Sequence, residues 1–215
     1  MRMRKKPNLA ARMAACGDLI VTAPEAYRGC WLSEFGYDAL HIEIGCGKGR
    51  FTVEAAKAEP DVLFAAIERS ADAMIIAVER AAAEGVRNIK FMVAYADRVA
   101  EYFAPGEASR IYLNFSDPWP SNRHEKRRLT NRRHLEIYSQ ALRSGGEIRF
   151  KTDNLRLFEY SLREFEQCGF YLQDVARDIH RDGPVGVMTD YELKFYGQGL
   201  PIYQCIAVRT DTGSD

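Results

Sequence analysis

Three glycines stand at alternate positions in a segment that begins at Glu43 and reads Glu-Ile-Gly-Cys-Gly-Lys-Gly. Glycine lets the backbone adopt positive φ and approach a ligand closely, so Gly45, Gly47 and Gly49 are candidate binding residues. A dinucleotide fingerprint requires glycine where Arg50 stands, so the spacing favours a nucleoside ligand without a pyrophosphate. Glu43 could hold a cationic group such as an amine. A turn that binds nothing has the same spacing.

A second carboxylate ends the next apolar run. Glu68 follows the run 62–67 and lies 23 residues after Gly45, close to the roughly 20 residues expected between a glycine turn and a ribose-binding acid. A carboxylate at the tip of a second strand accepts hydrogen bonds from ribose hydroxyls. Glu68 alone could be a solvated charge, but together with the glycine turn it predicts a nucleoside site.

A third polar strand end has the sequence Ser-Asp-Pro-Trp-Pro at 116–120. Prolines fix φ and remove backbone donors, so this segment is predicted to be a stiff loop that carries Asp117 and Trp119. An acid beside an aromatic plane suits a nucleobase. A core position for Trp119 is equally compatible with the sequence.

A basic run follows this loop. Residues 123–133 contain six lysines and arginines and one acid. The whole chain has 30 basic and 30 acidic residues, so a generally basic nucleic-acid binder is excluded and the rest of the molecule is net acidic. A local cluster of this kind is typical of a phosphate-binding surface, although many charge runs are only solvated faces.

The elements that must position these residues alternate between β-type runs and helical patterns. Strands are predicted at 40–44, 62–68, 88–93, 110–115, 146–151, 171–175 and 202–208, and helices at 49–58, 71–84, 97–103, 131–142 and 155–168. Alternation of this kind builds a doubly wound, mostly parallel α/β sheet. We predict one domain over 39–215, preceded by a mostly irregular segment 1–38 with a basic start and a possible short helix at 8–15. The segment 183–195 is predicted to be a loop.

Composition restricts the remaining classes. The five cysteines are odd in number and contain no C-x-x-C pair, which argues against a disulfide framework or a cysteine metal site. The four histidines lack metal-ligand spacing. No apolar run approaches the roughly 18 residues of a membrane span, and no apolar segment follows the basic start, as a secretory signal would require. We therefore expect a cytoplasmic protein without a metal.

The chain resembles bacterial tRNA (guanine-N7-)-methyltransferases over nearly its whole length. Seven motifs carry the resemblance: Arg-Met-Arg-Lys-Lys-Pro at 2–7, His-Ile-Glu-Ile-Gly-Cys-Gly-Lys-Gly at 41–49, Tyr-Leu-Asn-Phe-Ser-Asp-Pro-Trp-Pro at 112–120, Arg-His-Glu-Lys-Arg-Arg-Leu-Thr at 123–130, Phe-Lys-Thr-Asp-Asn at 150–154, Met-Thr-Asp-Tyr-Glu-Leu-Lys-Phe at 188–195 and Gly-Leu-Pro-Ile-Tyr at 199–203. The resemblance implies a class I methyltransferase fold with seven strands, the last one antiparallel.

The resemblance also implies an activity and a set of roles. The activity is methyl transfer from S-adenosylmethionine to N7 of a guanine in tRNA, with guanine 46 of the variable loop as the expected target, by a monomer or homodimer. Asp117 is the implied catalytic or guanine-contacting acid. The other implied residues are Glu43, Gly45, Gly47, Gly49, Glu68, Tyr95 and Asp117 for the cofactor; Ser121, Asp153, Thr189, Asp190, Tyr191 and Glu192 for the substrate; and Arg123, His124, Glu125, Lys126, Arg127 and Arg128 for RNA.

Two positions depart from the family pattern. Tyr95 stands where the family has an acid near the adenine, with Asp97 as a possible replacement, and Ser121 stands where it has a lysine. Two alternatives therefore stay open. One is a methyltransferase of the same fold with another substrate, and the other is an RNA-binding subunit without catalysis. A nicotinamide dehydrogenase is disfavoured by Arg50.

Overall fold

A computed structural model describes residues 5–210. The strands are β1 Ala39–Ile44, β2 Val62–Glu68, β3 Ile89–Val93, β4 Ala108–Asn114, β5 Leu142–Thr152, β6 Phe170–Ala176 and β7 Tyr203–Arg209. The helices are α1 Leu9–Ala15, α2 Trp31–Phe35, α3 Arg50–Ala58, α4 Ala71–Ala83, α5 Val99–Tyr102, α6 Arg132–Ala141, α7 Leu155–Gln167 and α8 Asp190–Tyr196. The first four residues of the predicted basic start lie outside the described residues.

The seven strands form one sheet in the order β3-β2-β1-β4-β5-β7-β6. Strands β1 to β5 are parallel to one another. Strand β7 lies between β5 and β6 and is antiparallel to both. Helices α1, α3 and α4 pack on one face, and α2, α5, α6 and α7 pack on the other. The predicted doubly wound, mostly parallel fold is confirmed.

The local predictions hold best at the centre of the sheet, because β1 and β2 are short apolar runs that are buried on both faces. All seven predicted strands are present, and β5 differs most from its predicted bounds. The predicted strand begins at Gly146, but β5 begins at Leu142 and contains an irregularity in its pairing with β4. Predicted helix 97–103 is a 3-10 turn, Ala96–Arg98, followed by the single turn of α5.

Two predictions about irregular segments are wrong in part. Segment 183–195 contains most of α8, whose N-terminus has a capping box between Thr189 and Glu192; this local signal outweighs the polar composition around it. In segment 1–38 the possible helix at 8–15 is present as α1, but the segment also contains α2, and its Leu19 and Trp31 side chains are buried in the core. From residue 5 to residue 210, no helix is long and apolar enough to cross a membrane.

Gly49 lets α3 approach α4 closely. Its φ is +77°, and a Cβ atom built on it would lie 2.4 Å from the Cβ of Ala77. Both conformation and space therefore require glycine at the point where the turn after β1 becomes a helix.

We expect Gly49→Ala to lower the free energy of unfolding by about 2–4 kcal/mol. The strain of an alanine with positive φ and the overpacking against Ala77 both contribute to this loss. Urea unfolding measures the loss. Gly85→Ala is the matched control, since Gly85 has φ +69° and nothing near its missing Cβ, so only the conformational cost of about 1–2 kcal/mol should appear. Equal losses in the two variants would contradict the packing role of Gly49.

Candidate active site

A cavity of about 560 Å³ opens where the C-terminal ends of β1, β2 and β4 meet. This is the point at which strand order reverses, where doubly wound sheets bind ligands, and the volume is in the usual range for small-molecule sites. Gly45, Glu68 and Asp117, one from each strand end, lie on its wall. The structure therefore brings two of the predicted acids and the first glycine into one cavity.

Glu43 lies behind the wall and ties three elements together. Its carboxylate is 2% exposed and accepts hydrogen bonds from Thr52 Oγ1 of α3 and from Asn114 Nδ2 of β4, the latter at 3.1 Å. Burial raises the pKa of Glu43 to about 7, against the two hydrogen bonds, which lower it. Asn114 lies on the cavity wall, so Glu43 reaches the site through Asn114. Sequence reasoning missed both partners, although Asn114 is the polar end of an apolar strand.

Glu68 connects the glycine turn to the loop after β2. Its Oε2 accepts from the Gly47 backbone N–H at 3.1 Å, and its Oε1 accepts from the Ser70 N–H at 2.9 Å. An ionised carboxylate has about four acceptor positions, so Glu68 can hold these bonds and still accept from two ribose hydroxyls. Gly47 and Gly49 are not on the cavity wall; they shape the turn below it.

The loop that carries Asp117 has an unusual backbone. Phe115 and Trp119 have φ of 51° and 40°, in a region that costs a non-glycine residue about 1–2 kcal/mol. Arg128 holds the loop, because its guanidinium donates to the carbonyls of Pro118 at 3.2 Å and Trp119 at 3.1 Å. The strained backbone directs Asp117 into the cavity mouth.

Arg128 also has a structural role that the sequence analysis did not predict. Its side chain is buried, with its guanidinium 4.2 Å above the ring of Tyr160. His134 braces it from behind, since Nδ1 donates to the Arg128 carbonyl at 3.0 Å, and burial lowers the pKa of His134. The predicted RNA contact is untested, but these bonds make Arg128 a support for the Asp117 loop.

An arginine on the cavity wall lies beside Asp117. Arg69, the residue after β2, has Nη2 3.5 Å from Asp117 Oδ2, and both side chains are mostly exposed. An exposed pair of this kind adds little stability, so both groups remain available to a ligand. Sequence reasoning missed Arg69, whose one signal is its position next to Glu68.

Aromatic and cationic side chains form the rim beside Asp117. The half-buried Trp119 has the Arg127 guanidinium 4.9 Å from its ring centroid and the His124 ring edge-on at 5.6 Å. Trp119, Lys126 and Arg127 lie on the cavity wall. Trp119 is therefore at the site and not in the core.

The remaining residues of the basic segment take different positions. The 3-10 turn Asn122–Arg127 is capped by the exposed Ser121, whose hydroxyl accepts from the Arg123 N–H at 3.3 Å. Arg123 itself is exposed. Glu125 faces away from the cavity and accepts a hydrogen bond from the hydroxyl of Tyr160 at 3.3 Å.

Both candidates for the adenine end lie on the cavity wall. Tyr95 and Asp97 follow β3, and the Tyr95 side chain is exposed. Asp97 Oδ2 lies 4.0 Å from Arg133 Nη2. The structure thus supplies an acid two residues after the position at which the family pattern has one.

The segment around α8 is fixed by buried and half-exposed charges. Glu192 is fully buried, and its Oε1 lies 2.9 Å from both Lys151 Nζ and His180 Nε2. The Val185 N–H donates to His180 Nδ1, so the neutral ring carries its proton on Nε2 and donates it to Glu192. The carboxylate of Glu192 is thus engaged inside the protein.

Three further implied substrate residues surround Glu192 in the chain. Thr189 caps α8, and Asp190 pairs with Arg50 at 3.8 Å and Arg80 at 3.3 Å. The ring of Tyr191 lies 5.3 Å from that of Phe115, which is on the cavity wall.

Asp153 is also near this edge of the cavity. Burial is the main cause that raises the pKa of Tyr191, and the Asp153 carboxylate raises it further. The contact of Tyr191 with Phe115 places Tyr191 beside the cavity, and Asp153 follows the C-terminal end of β5, which is next to β4 in the sheet. Over residues 5–210, no cluster of three histidine, cysteine or acidic side chains has a geometry that could hold a metal ion.

Several solved methyltransferases share this architecture. The 16S rRNA methyltransferase KamB superimposes with a TM-score of 0.67 over 85% of this chain and 94% of its own, at 13% identity. Precorrin-6y C5,15-methyltransferase from Geobacter metallireducens superimposes with a TM-score of 0.57 over 96% of this chain and 94% of its own, at 15% identity. The chain therefore has the class I methyltransferase fold, with its cavity at the switch point of that fold.

Sequence comparison gives the family. Residues 38–205 match a family model described as "Putative methyltransferase". The tRNA (guanine-N(7)-)-methyltransferase of Geobacillus kaustophilus is 47% identical over 97% of both chains, and that of Bacillus subtilis strain 168 is 44% identical over 95% of this chain and 97% of its own. The chain belongs to the tRNA (guanine-N(7)-)-methyltransferase family, as the resemblance implied.

Glu43→Gln tests the buried carboxylate. Because the pKa of Glu43 rises from 4.5 to about 7 on folding, the folded chain keeps a proton that the unfolded chain releases in this interval. Wild-type stability should therefore fall between about pH 5 and pH 8 by an extra amount on the order of 3 kcal/mol, which the variant lacks. Urea unfolding of both proteins at the two pH values measures this difference. Identical pH dependence would mean that Glu43 is ionised throughout.

Proposed function

We propose that this protein transfers the methyl group of S-adenosylmethionine to N7 of a guanine in tRNA, with guanine 46 of the variable loop as the target. The observation that carries the proposal is the shared cavity of Glu68 and Asp117, with an aromatic and cationic rim beside it. Family membership supports the same activity. A cytoplasmic location and a monomer or homodimer remain predictions.

The residues present fit the cofactor. Glu68 has acceptor positions left for a ribose, Gly45 offers a backbone without a side chain, and Tyr95 and Asp97 are available to an adenine. Asn114 lies on the wall with Glu43 behind it, and could hold an amino-acid group there. When bound, the cofactor supplies an electrophilic methyl group on a sulfonium.

The protein's main task is to position the guanine. Guanine N7 has an in-plane lone pair and no proton, so no base must act before the transfer. Holding the two reactants in line can contribute about 7–11 kcal/mol to lowering the barrier. Trp119 offers a plane for the base on the cavity wall, and the ring of Tyr191 lies beside Phe115 of the same wall.

Asp117 has two compatible roles toward the guanine. Its carboxylate can accept hydrogen bonds from N1–H and the exocyclic amine, which adenine does not present in the same pattern. It can also stabilise the positive charge that methylation places on the ring. Both roles need the ionised carboxylate at the cavity mouth, which the strained loop and Arg128 hold in place.

Removal of the Asp117 carboxylate is expected to abolish most turnover. For Asp117→Ala we expect methyl transfer to tRNA to fall by about 10²–10³-fold, the usual cost of losing one electrostatic contact to the transition state. Affinity for the methyl donor should be kept, because the proposed role is toward guanine. Label transfer to unmodified tRNA, followed by nucleoside analysis, measures the loss, and donor binding is measured by calorimetry.

Asp61→Ala is the matched control, since Asp61 is an exposed acid at the start of β2, on the opposite edge of the sheet. Wild-type turnover in Asp117→Ala would remove Asp117 from the site. If the wild-type protein transferred label to a small metabolite but not to tRNA, the substrate would be a different one. Binding of tRNA without any donor affinity would indicate a non-catalytic subunit.

A further inference from the structure

A second groove, of about 450 Å³, lies on the other side of the Asp117 loop. Pro118 and Pro120 form one wall, and α7 forms the other. The loop is thus a partition, with Asp117 facing the cavity on one side and the two prolines facing the groove on the other. None of the roles assigned above uses this groove.

One face of α7 lines the groove. Arg156, Tyr160, Arg163 and Gln167 recur at helical spacing, so they lie along one stripe of the helix. The Tyr160 ring is held at the floor by Arg128 and by its hydroxyl contact with Glu125. The two exposed arginines are seven residues apart, which is about 10 Å along the helix axis.

The acidic and basic side chains of the groove differ in whether they already have partners within the protein. Its acids, Glu125 and Glu164, already accept hydrogen bonds from the Tyr160 hydroxyl and from the Arg132 backbone N–H at 2.8 Å. For Arg156 and Arg163, by contrast, the described part of the chain provides no hydrogen bond or ion pair. Two free guanidinium groups above an aromatic and apolar floor attract phosphate oxygens with sugar or base between them.

We propose that this groove binds the phosphodiester backbone next to the target guanine. The inference rests on the proposed function and adds to it Arg156 and Arg163 of α7, which lie outside the basic run 123–133, although Glu125 and Arg128 of that run also line the groove. A base that enters the cavity stays covalently attached to its neighbours, so its strand must cross the rim of the cavity. The Pro118–Pro120 wall is part of that rim, and the groove directly beyond it presents Arg156 and Arg163.

Equilibrium binding of unmodified tRNA across about 50–200 mM salt tests the proposal. For the double variant Arg156→Ala/Arg163→Ala we expect affinity to fall on the order of tenfold and the slope of log affinity against log salt to become shallower by about two. The double variant Arg156→Lys/Arg163→Lys keeps both charges and should retain most of the wild-type slope.

Arg87→Ala/Arg143→Ala is the matched control. Both of these arginines are exposed next to strand starts, on the opposite edge of the sheet, and we expect the wild-type slope. Thermal unfolding and donor affinity of all variants verify that the fold is intact. A wild-type slope in the alanine double variant would overturn the proposal, as would a change in self-association with unchanged tRNA affinity, which would assign the groove to a second copy of the chain.

The same preparations separate this proposal from the proposed function. If wild-type protein methylates tRNA and the alanine double variant binds tRNA normally, only the groove assignment fails. If wild-type protein binds tRNA through the two arginines but transfers no methyl group, the groove assignment stands and the proposed function fails.

Discussion

The buried carboxylate of Glu43 is the interaction on which the site depends. It receives hydrogen bonds from Thr52 in α3 and Asn114 in β4, so one side chain joins β1, the helix after the glycine turn and the neighbouring strand across the switch point. Such a group is costly to bury without partners, which makes the arrangement specific. The position of Asn114 on the cavity wall and the start of α3 follow from it, and Gly49 lets α3 meet α4 at contact distance.

The second support of the site is the backbone of the Asp117 loop. Phe115 and Trp119 have positive φ and would relax if nothing held them. The Phe115 N–H donates to the Lys151 carbonyl, and Arg128 holds the Trp119 end of the loop through the carbonyls of Pro118 and Trp119. This explains how a side chain as exposed as Asp117 can be positioned for chemistry. The loop has functional groups on both sides, because Asp117 faces the cavity and the prolines face the basic groove beside α7.

The sequence predicted what is local and missed what depends on distant partners. Glu68 and Asp117 could be found because each ends an apolar strand, and parallel strands end at one edge of a sheet. Arg127 and Arg128 are identical neighbours in the sequence, yet one lies beside Trp119 at the rim and the other is buried against Tyr160. Nothing adjacent to Arg128 indicates that difference. The capping box of α8 was readable, but the burial of Glu192 depends on Lys151 and His180 from other segments.

The most direct measurement is a crystal structure of the protein with S-adenosylhomocysteine. The central claim is that the cofactor and the guanine meet in the cavity between the ends of β1, β2 and β4. The account predicts ribose hydroxyls within hydrogen-bond distance of Glu68, the adenine beside Tyr95 or Asp97, and the sulfur directed toward Asp117. Density for the ligand outside this cavity, or a ribose without contact to Glu68, would contradict the account.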